Sequence, residues 1–518
     1  MTINLKLQLG ISEIAEIAGV SVSAVSQWRK RHSDFPKAQG DGSAGYLFDF
    51  EEIQAWLVEN GKIGEPVPNA RLTWSIANAL RNWWSISEVT EFVTSVLLII
   101  ESERRTPPST QDLVKAPTYP RDDHPITRLI EVAQSIEEAQ PELRGLILGG
   151  LSLRVEPPAE VINRLLDVLN EQARDGVSFI EIFEELVSRR SRTDRFTGEF
   201  FTPLSICELL GSLVSPDAKV VVDPAAGTGA LLGGVDRWSP PANGPRRLIG
   251  IELNVSATRE ARARFFLSNQ AVDIQQTNTF EAQSIDEIGA DVVLLQGPFG
   301  MKKWASAEVI MSPRWPFGSP PSTSADFAWL QLAYRALRPG GAAYVVLPRG
   351  SLFVGGRAGA IRQSMLRAGA IEAIIALPGR LLLSTSLPVV VWILRKPSNT
   401  EQKKRVLFVD ATTRGDKGKT QVTLSSQTIR SIVEALTTGF GNDDAQESEL
   451  RFIFAKEIEE LGDGNLWTPF VHDQIPEEPT RTELERQAAD LRAELAVSLT
   501  TLKKSLAELG DWIGKDLK

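Results

Sequence analysis

The sequence predicts an α/β protein built on a Rossmann-like, seven-stranded, mostly parallel sheet, with an N-terminal winged helix-turn-helix, a helical domain and a C-terminal helical tail. Three observations predict it. Seven short, β-branched apolar runs between Lys219 and Leu394 alternate with helical stretches, the pattern of a parallel sheet buried on both faces. The turn "DPAAGTGALL" (223–232) closes the first run and opens a helix. On either side of this region apolar residues recur at three- and four-residue spacing.

Bulk composition bounds the reading. At 518 residues with 42% hydrophobic and 24% charged, the chain has material for several cores. A net charge of −10 argues against a uniformly basic nucleic-acid coat, although a local basic face can exist on an acidic protein. The single cysteine, Cys207, excludes an internal disulfide, and His32, His124 and His472 have no zinc spacing, so no metal is expected. "MTINLKLQLG" lacks a long apolar stretch, and the longest apolar runs, such as 387–394, fall below half a membrane span. An unexported cytoplasmic protein is expected.

Residues 1–62 read as the first domain. Ile11, Ile14, Ala15 and Ala18 share a helical face, Gly19 permits a turn, and Val20, Val25 and Trp28 continue the apolar face into a second helix. The outer face of that helix carries Ser21, Ser23, Ala24, Ser26, Gln27, Arg29, Lys30 and Arg31, short polar and cationic groups able to reach base edges and phosphates. "GDGSAG" then reads as a loop tip, "YLFDF" as a strand and "FEEIQAWLVENG" as an amphipathic helix. The segment resembles winged helix-turn-helix domains of the excisionase and MerR type, which implies double-stranded DNA as a partner. The plainer alternative is a helical hairpin that only packs on another domain.

Residues 63–187 read as a helical domain interrupted by a charged, proline-rich loop at 101–125. Trp74, Trp83 and Trp84 are assigned to its core.

The third domain, 188–410, carries the expected strands "KVVVDPA" (219–225), "RLIGIEL" (247–253), "VDIQQTN" (272–278), "DVVLLQG" (291–297), "AAYVVLP" (342–348), "IEAIIAL" (371–377) and "PVVVWIL" (388–394). About ten residues with no helical repeat join the last two, so the seventh strand is expected to return antiparallel. Gly227 and Gly229 let the backbone approach a ligand, and the following helix N-terminus favours electron-rich groups. Glu252, at the end of the second strand, is placed to accept from a ribose diol. Loop and acid together predict an adenosine-type cofactor.

With "GEFFTP" (198–203), "DPAAGTGALL", "GIELN", "QGPF" (296–299), "LRPGGAAYVVLPRGSLFVGG" (337–356) and "TSLPVVVWILRK", residues 126 to 410 resemble the adenine amino-methyltransferases of DNA, in particular modification subunits of type I restriction systems. The resemblance implies S-adenosylmethionine held by Phe200, Phe201, Thr202, Pro203, the loop containing Asp223, Ala225, Gly227, Thr228 and Gly229, Glu252 and Asn278. It implies an adenine swung out of the duplex as target, and a specificity subunit or a second copy as partner.

An exocyclic adenine amine is a poor nucleophile because its lone pair is delocalised into the ring. Acceptors must hold its hydrogens and an aromatic must clamp the base. The resembled family uses Asn-Pro-Pro-Tyr or Asn-Pro-Pro-Phe for this. Here Gln296 and Gly297 replace the first two residues, while Pro298 and Phe299 remain. Gln296 still offers an amide oxygen, one methylene farther out, and a displacement of about 1 Å can cost about a hundredfold in rate. Gly297 removes a conformational lock. Asn278 stands where an acidic residue is usual, and Leu382 where an aromatic is usual. Two readings follow: a methyltransferase-like DNA-binding protein of regulatory or recognition role that has lost methyl transfer, or an active DNA adenine methyltransferase of a restriction-modification or phage-defence system.

Three basic groups stand in or beside this domain. "SRRSRTDR" (188–195) and Lys302 with Lys303 are expected at the pocket mouth against phosphates, while "REARARFF" (259–266) reads as a solvated helix face. Residues 411–518 form the tail. From Leu484 to Ile513 an apolar stripe at three-four spacing calls for a partner helix, from this chain or another subunit.

Overall fold

The computed structural model describes residues 8–18, 20–42, 45–62, 70–105, 124–152, 154–193, 202–282, 284–382, 386–398, 405–417, 422–439, 453–462 and 464–472. Gly19, most of the proline-rich loop, residues 194–201 with Phe200 and Phe201, and the apolar stripe after Leu484 lie outside them.

At the N-terminus, β1 (Gln8–Gly10), β2 (Gln39–Gly42) and β3 (Gly45–Asp49) form an antiparallel sheet in the order β1-β3-β2. It stands beside α1 (Ile11–Ile17), α2 (Val22–Arg31) and α3 (Phe50–Glu59). The turn between α1 and α2 closes through the Val20 N–H on the Ala15 carbonyl at 2.9 Å, and Ser21 caps α2 by accepting from Ala24 N at 3.3 Å. Leu9, Ile14, Val25, Trp28, Phe48, Ile53, Trp56 and Leu57 fill its core, each large side chain contributing roughly 1.5–3 kcal/mol by burial. The same core takes in Trp74 from α4 (Ala70–Leu80), so this small unit is completed by a residue of the following helical segment.

The helical segment continues through α5 (Ile86–Arg105), α6 (Pro125–Ala139), α7 (Ile147–Leu151), α8 (Ala159–Arg174) and α9 (Phe179–Thr193). Trp84 is buried with its indole N–H on the Val155 carbonyl at 2.7 Å, and Trp83 is half-buried against the same core. No helix among the described residues is long and apolar enough to cross a membrane.

The large sheet contains β4 (Val220–Asp223), β5 (Arg247–Glu252), β6 (Val272–Gln276), β7 (Ala290–Leu295), β8 (Leu337–Pro348), β9 (Ile371–Ala376), β10 (Val389–Arg395) and β11 (Arg405–Asp410), with α13 (Ala307–Met311) between β7 and β8 and α15 (Gly356–Arg367) between β8 and β9 in the chain. After a small ladder of β12 (Asp416–Lys417) with β13 (Val422–Thr423), β14 (Ile453–Glu457) completes it, in the order β14-β11-β9-β10-β8-β7-β4-β5-β6. The seven expected runs are all strands. The seventh, β10, runs antiparallel between β8 and β9, with Val391 opposite Val346 and Ile375.

The expectation of a seven-stranded sheet needs correction: among the described residues this sheet has nine strands. β11 pairs parallel to β9, β14 pairs antiparallel to β11, and α16 (Ser426–Gly439) packs beneath. Residues after 411, expected as a tail, therefore supply part of this layer. Both faces of the sheet are covered, which is why its strands read as continuous apolar runs. Val221, Leu248, Leu294, Tyr344 and Val391 point into the core shared with α10 (Leu204–Ser212), α11 (Ala230–Trp238) and α16. Val222, Ile249, Leu295, Val345 and Trp392 are equally buried on the other face. As a separate unit, Leu466–Lys518 begins with a short helix, α17 (Thr468–His472), in which Phe470 stacks on Trp467 at 5.2 Å.

Candidate active site

The sheet order places the carboxyl ends of β6, β5, β4 and β7 side by side, with the chain winding one way from β4 to β5 and the other way to β7. Open α/β sheets place their ligand crevice at such a reversal. Asp223 stands at the end of β4, Glu252 at the end of β5, Asn278 just after β6 and Gln296 just after β7.

Glu252 shapes the glycine loop. One carboxylate oxygen accepts from Gly227 N at 2.8 Å and the other from Asn254 N at 2.7 Å. A carboxylate has about four acceptor positions, so capacity for a ribose diol remains. Gly227 has φ +53°, and a Cβ built on it would meet nothing within 4 Å: the space beside the loop is open to a ligand. Gly229, at φ +79°, caps α11 without a side-chain partner, and its missing Cβ would lie 2.8 Å from the Phe265 ring on α12 (Val255–Leu267). One glycine thus leaves room for a ligand and the other lets a helix close on the loop.

Asp223 is 1% exposed. Its Oδ1 accepts from Ala225 N at 3.0 Å, while Oδ2 has no partner among the described residues. Burial pushes its carboxyl up to about 7; the Ala225 N–H opposes the shift and the neighbouring Glu252 charge adds to it. Burial likewise drives the Cys207 thiol up to about 12, and the Asp223 charge adds to that shift. The Cys207 sulfur lies 3.9 Å from the Thr202 carbonyl, and Pro203 caps α10, so the described part of "GEFFTP" borders the Asp223 end of the crevice. Asn278 turns its Oδ1 to Phe280 N at 3.1 Å.

The Gln-Gly-Pro-Phe corner is organised by a residue the sequence did not single out. Gln296 is 6% exposed, and neither its Oε1 nor its Nε2 has a hydrogen-bond partner among the described residues. A Cβ on Gly297 would sit 2.6 Å from Trp329 Cε2 and 2.8 Å from its Nε1, so glycine here is room for an indole as well as a lost lock. Trp329, on α14 (Asp326–Ala336), packs tilted against Phe280 with ring centroids 4.2 Å apart, and the Phe280 ring centroid lies 4.7 Å from that of Trp304. The Trp329 indole N–H and the Thr279 hydroxyl are likewise buried and unpaired. A small residue in a strand-end motif was the available signal of close approach. Pro298 is exposed, Phe299 is half-buried against the sheet core, and Gly300 N donates to Asp326 Oδ1 at 2.9 Å. Lys302 and Lys303 stand exposed just beyond, while Leu382 is 3% exposed and lies within the core.

Two expectations for charged groups are corrected. Arg189 and Arg190, expected near phosphates, are buried: Arg189 lies 3.5 Å over the Trp74 ring, and Arg190 forms a two-pronged pair with Glu260 at 2.6 Å. The α12 stretch 259–266 is no solvated face, because Glu260 and Arg264 are buried where α12 meets the helical segment. On α2, Ser21, Ser23, Gln27, Lys30 and Arg31 are exposed, Ser26 bonds back to the Val22 carbonyl at 3.0 Å, and Arg29 lies 3.5 Å over the Tyr46 ring of β3.

A glycine loop, an acid on the next strand and an amide corner on the strand beyond, all at one sheet edge, define a Rossmann-like methyltransferase architecture. The family model described as N-6 DNA Methylase matches residues 174–466, and the chain belongs to that family. The HindI type I restriction enzyme methylase subunit of Haemophilus influenzae is 27% identical over 347 residues, 64% of this chain and 77% of that protein. The MjaIX methylase subunit of Methanocaldococcus jannaschii is 24% identical over 373 residues, 68% of this chain and 66% of that protein. Among solved structures, the type I restriction-modification methyltransferase subunit of Streptococcus thermophilus superposes with a TM-score of 0.60 at 23% identity, covering 77% of this chain and 98% of that one. At that identity the match supports the fold.

Proposed function

We propose that this chain is a DNA-modification subunit that binds S-adenosylmethionine and double-stranded DNA and presents Gln296 to the exocyclic amine of an extruded adenine. The carrying observation is the Gln296 amide, buried at the strand end with both polar atoms unpaired. Leaving such a group unmade costs roughly 1–3 kcal/mol, and the unmade bonds match what an adenine edge offers. Removing the amide by apolar replacement would relieve that cost, so its presence argues for a ligand that completes it.

The donor supplies an electrophilic methyl group when bound. This chain's residues do the rest: Glu252 and the loop 225–229 take the adenosine end, with the open side of Gly227 facing the ligand space. Gln296 Oε1 and the backbone carbonyl beyond it accept from the amine, and Phe299 supplies the aromatic face. Ser21, Ser23, Ser26, Gln27, Lys30 and Arg31 on α2 read the duplex, Arg29 braces the wing through Tyr46, and Lys302 and Lys303 hold phosphates beside the corner. A specificity subunit is the proposed partner, in keeping with the type I systems whose methylase subunits this chain resembles.

A second reading, DNA binding without methyl transfer, is favoured by one observation: Trp329 occupies the volume in which any side chain at 297 would stiffen the corner. Incubating the purified chain with labelled S-adenosylmethionine and DNA, alone and with any neighbouring specificity protein, separates the two. Formation of 6-methyladenine supports the first reading. Donor binding without transfer in either mixture supports the second.

A further inference from the structure

Helix α12 backs the glycine loop and carries a charge into the core. Arg264 is 4% exposed; its Nε donates to the Thr228 carbonyl at 2.7 Å and its Nη2 approaches the Thr228 hydroxyl at 3.4 Å. Its Nη1 pairs with Glu184 of α9, and the guanidinium stands 5.2 Å from the Phe183 ring centroid. Thr228 lies between the two left-handed glycines, at the bend of the loop. A single planar fork therefore ties that bend to a helix outside the methyltransferase sheet. Guanidinium geometry suits this: fixed N–H directions reach a carboxylate and a carbonyl at once, which an ammonium cannot do with the same constraint. Burial lowers the Arg264 pKa to about 10, which leaves it charged at neutral pH.

Resting on the donor-binding reading above, we propose that Arg264, clamped by Glu184, is a positioning residue for the methyl donor: it sets the shape of loop 225–229 and makes the helical segment a working part of the donor site. Glu184 is half-exposed, so Glu184→Gln removes the clamp with little change in packing.

The test uses the full chain with calorimetry against S-adenosylmethionine and hydrogen exchange of the loop amides without donor. Glu184→Gln and Arg264→Lys are each expected to weaken donor binding about threefold to thirtyfold and to speed exchange at 225–229. The double variant is expected to be no worse than Arg264→Lys alone, because both act on one clamp. Where transfer is measurable, KM for the donor rises while kcat holds. Glu260→Gln is the control: it breaks another buried pair between α9 and α12 that does not touch the loop, so it should lower the melting temperature and leave donor affinity unchanged. Unchanged affinity and exchange in Glu184→Gln would overturn the proposal, as would equal weakening by Glu260→Gln, which means general loosening. If the wild-type chain binds no donor, the functional reading fails, and loop exchange alone decides whether Arg264 shapes the loop.

Discussion

Restoring the stiffer corner of the family by Gly297→Pro looks like a gain, and the structure predicts a loss. The smallest version, Gly297→Ala, puts a Cβ 2.6 Å from Trp329 Cε2, where ordinary contact begins at 3.4 Å. The indole must retreat by about 0.8 Å, the difference between those two distances. It has nowhere to go: Trp329 is 4% exposed and tilted against the Phe280 ring at a centroid distance of 4.2 Å. Overpacking of this kind costs about 1–3 kcal/mol, and proline adds ring atoms to it. Trp329→Leu alone opens a cavity at about 2–5 kcal/mol. In that background, however, Gly297→Ala should be close to neutral, a coupling of about 1–3 kcal/mol, the whole overpacking penalty. Denaturant midpoints of the four proteins, followed by tryptophan fluorescence and by donor binding, measure the cycle. Additive penalties, or a Gly297→Ala variant as stable as wild type, would refute the contact and with it the explanation of Gly297.

Three further outcomes follow from the site. Asp223 has its carboxyl raised from the ordinary 3.8 to about 7 chiefly by burial, so its contribution to stability is full below about pH 4 and lost as pH rises through 7. Asp223→Asn should therefore flatten the fall in denaturation midpoint over that window, and an unaltered pH profile would contradict the assignment. Gly229→Ala combines a left-handed φ of +79° with a Cβ 2.8 Å from Phe265, so calorimetry should find donor binding abolished; retained binding would show that the loop tolerates another path. Lys30→Ala and Arg31→Ala should each reduce the salt dependence of DNA binding by about one unit of slope in a mobility-shift titration, whereas slopes equal to wild type would remove α2 from the interface.

Much of the fold was legible because its physics is local. Runs such as "VVV" (220–222) and "VVVWIL" (389–394) are continuous and apolar, as a strand buried on both faces requires, while the edge strand "VDIQQ" is half polar; the lack of a helix between the last two runs announced the antiparallel return. The eighth strand, "RVLFVD", follows a charged stretch and is defined by its pairing with β9, a long-range event that periodicity does not report. "IFAKE" is an edge strand for the same reason. The candidate site divides in the same way. Glu252 and the two glycines were readable from spacing, since their backbone task is fixed by a strand-turn-helix unit. Trp329 was not, because its contact with Gly297 crosses 32 residues and leaves only an unexplained glycine behind. Arg190 read as a phosphate contact and Arg264 as part of a solvated face because a charge pattern on a helix does not tell which face another element will cover.

The most direct measurement is tritium transfer from S-adenosylmethionine to duplex DNA by the full chain, alone and mixed with a candidate specificity protein, beside Gln296→Ala. A product that co-elutes with 6-methyladenine, and falls by at least about a hundredfold in the variant, is the predicted result. Donor and DNA both bound with no labelled adenine, or label undiminished without the Gln296 amide, would contradict it.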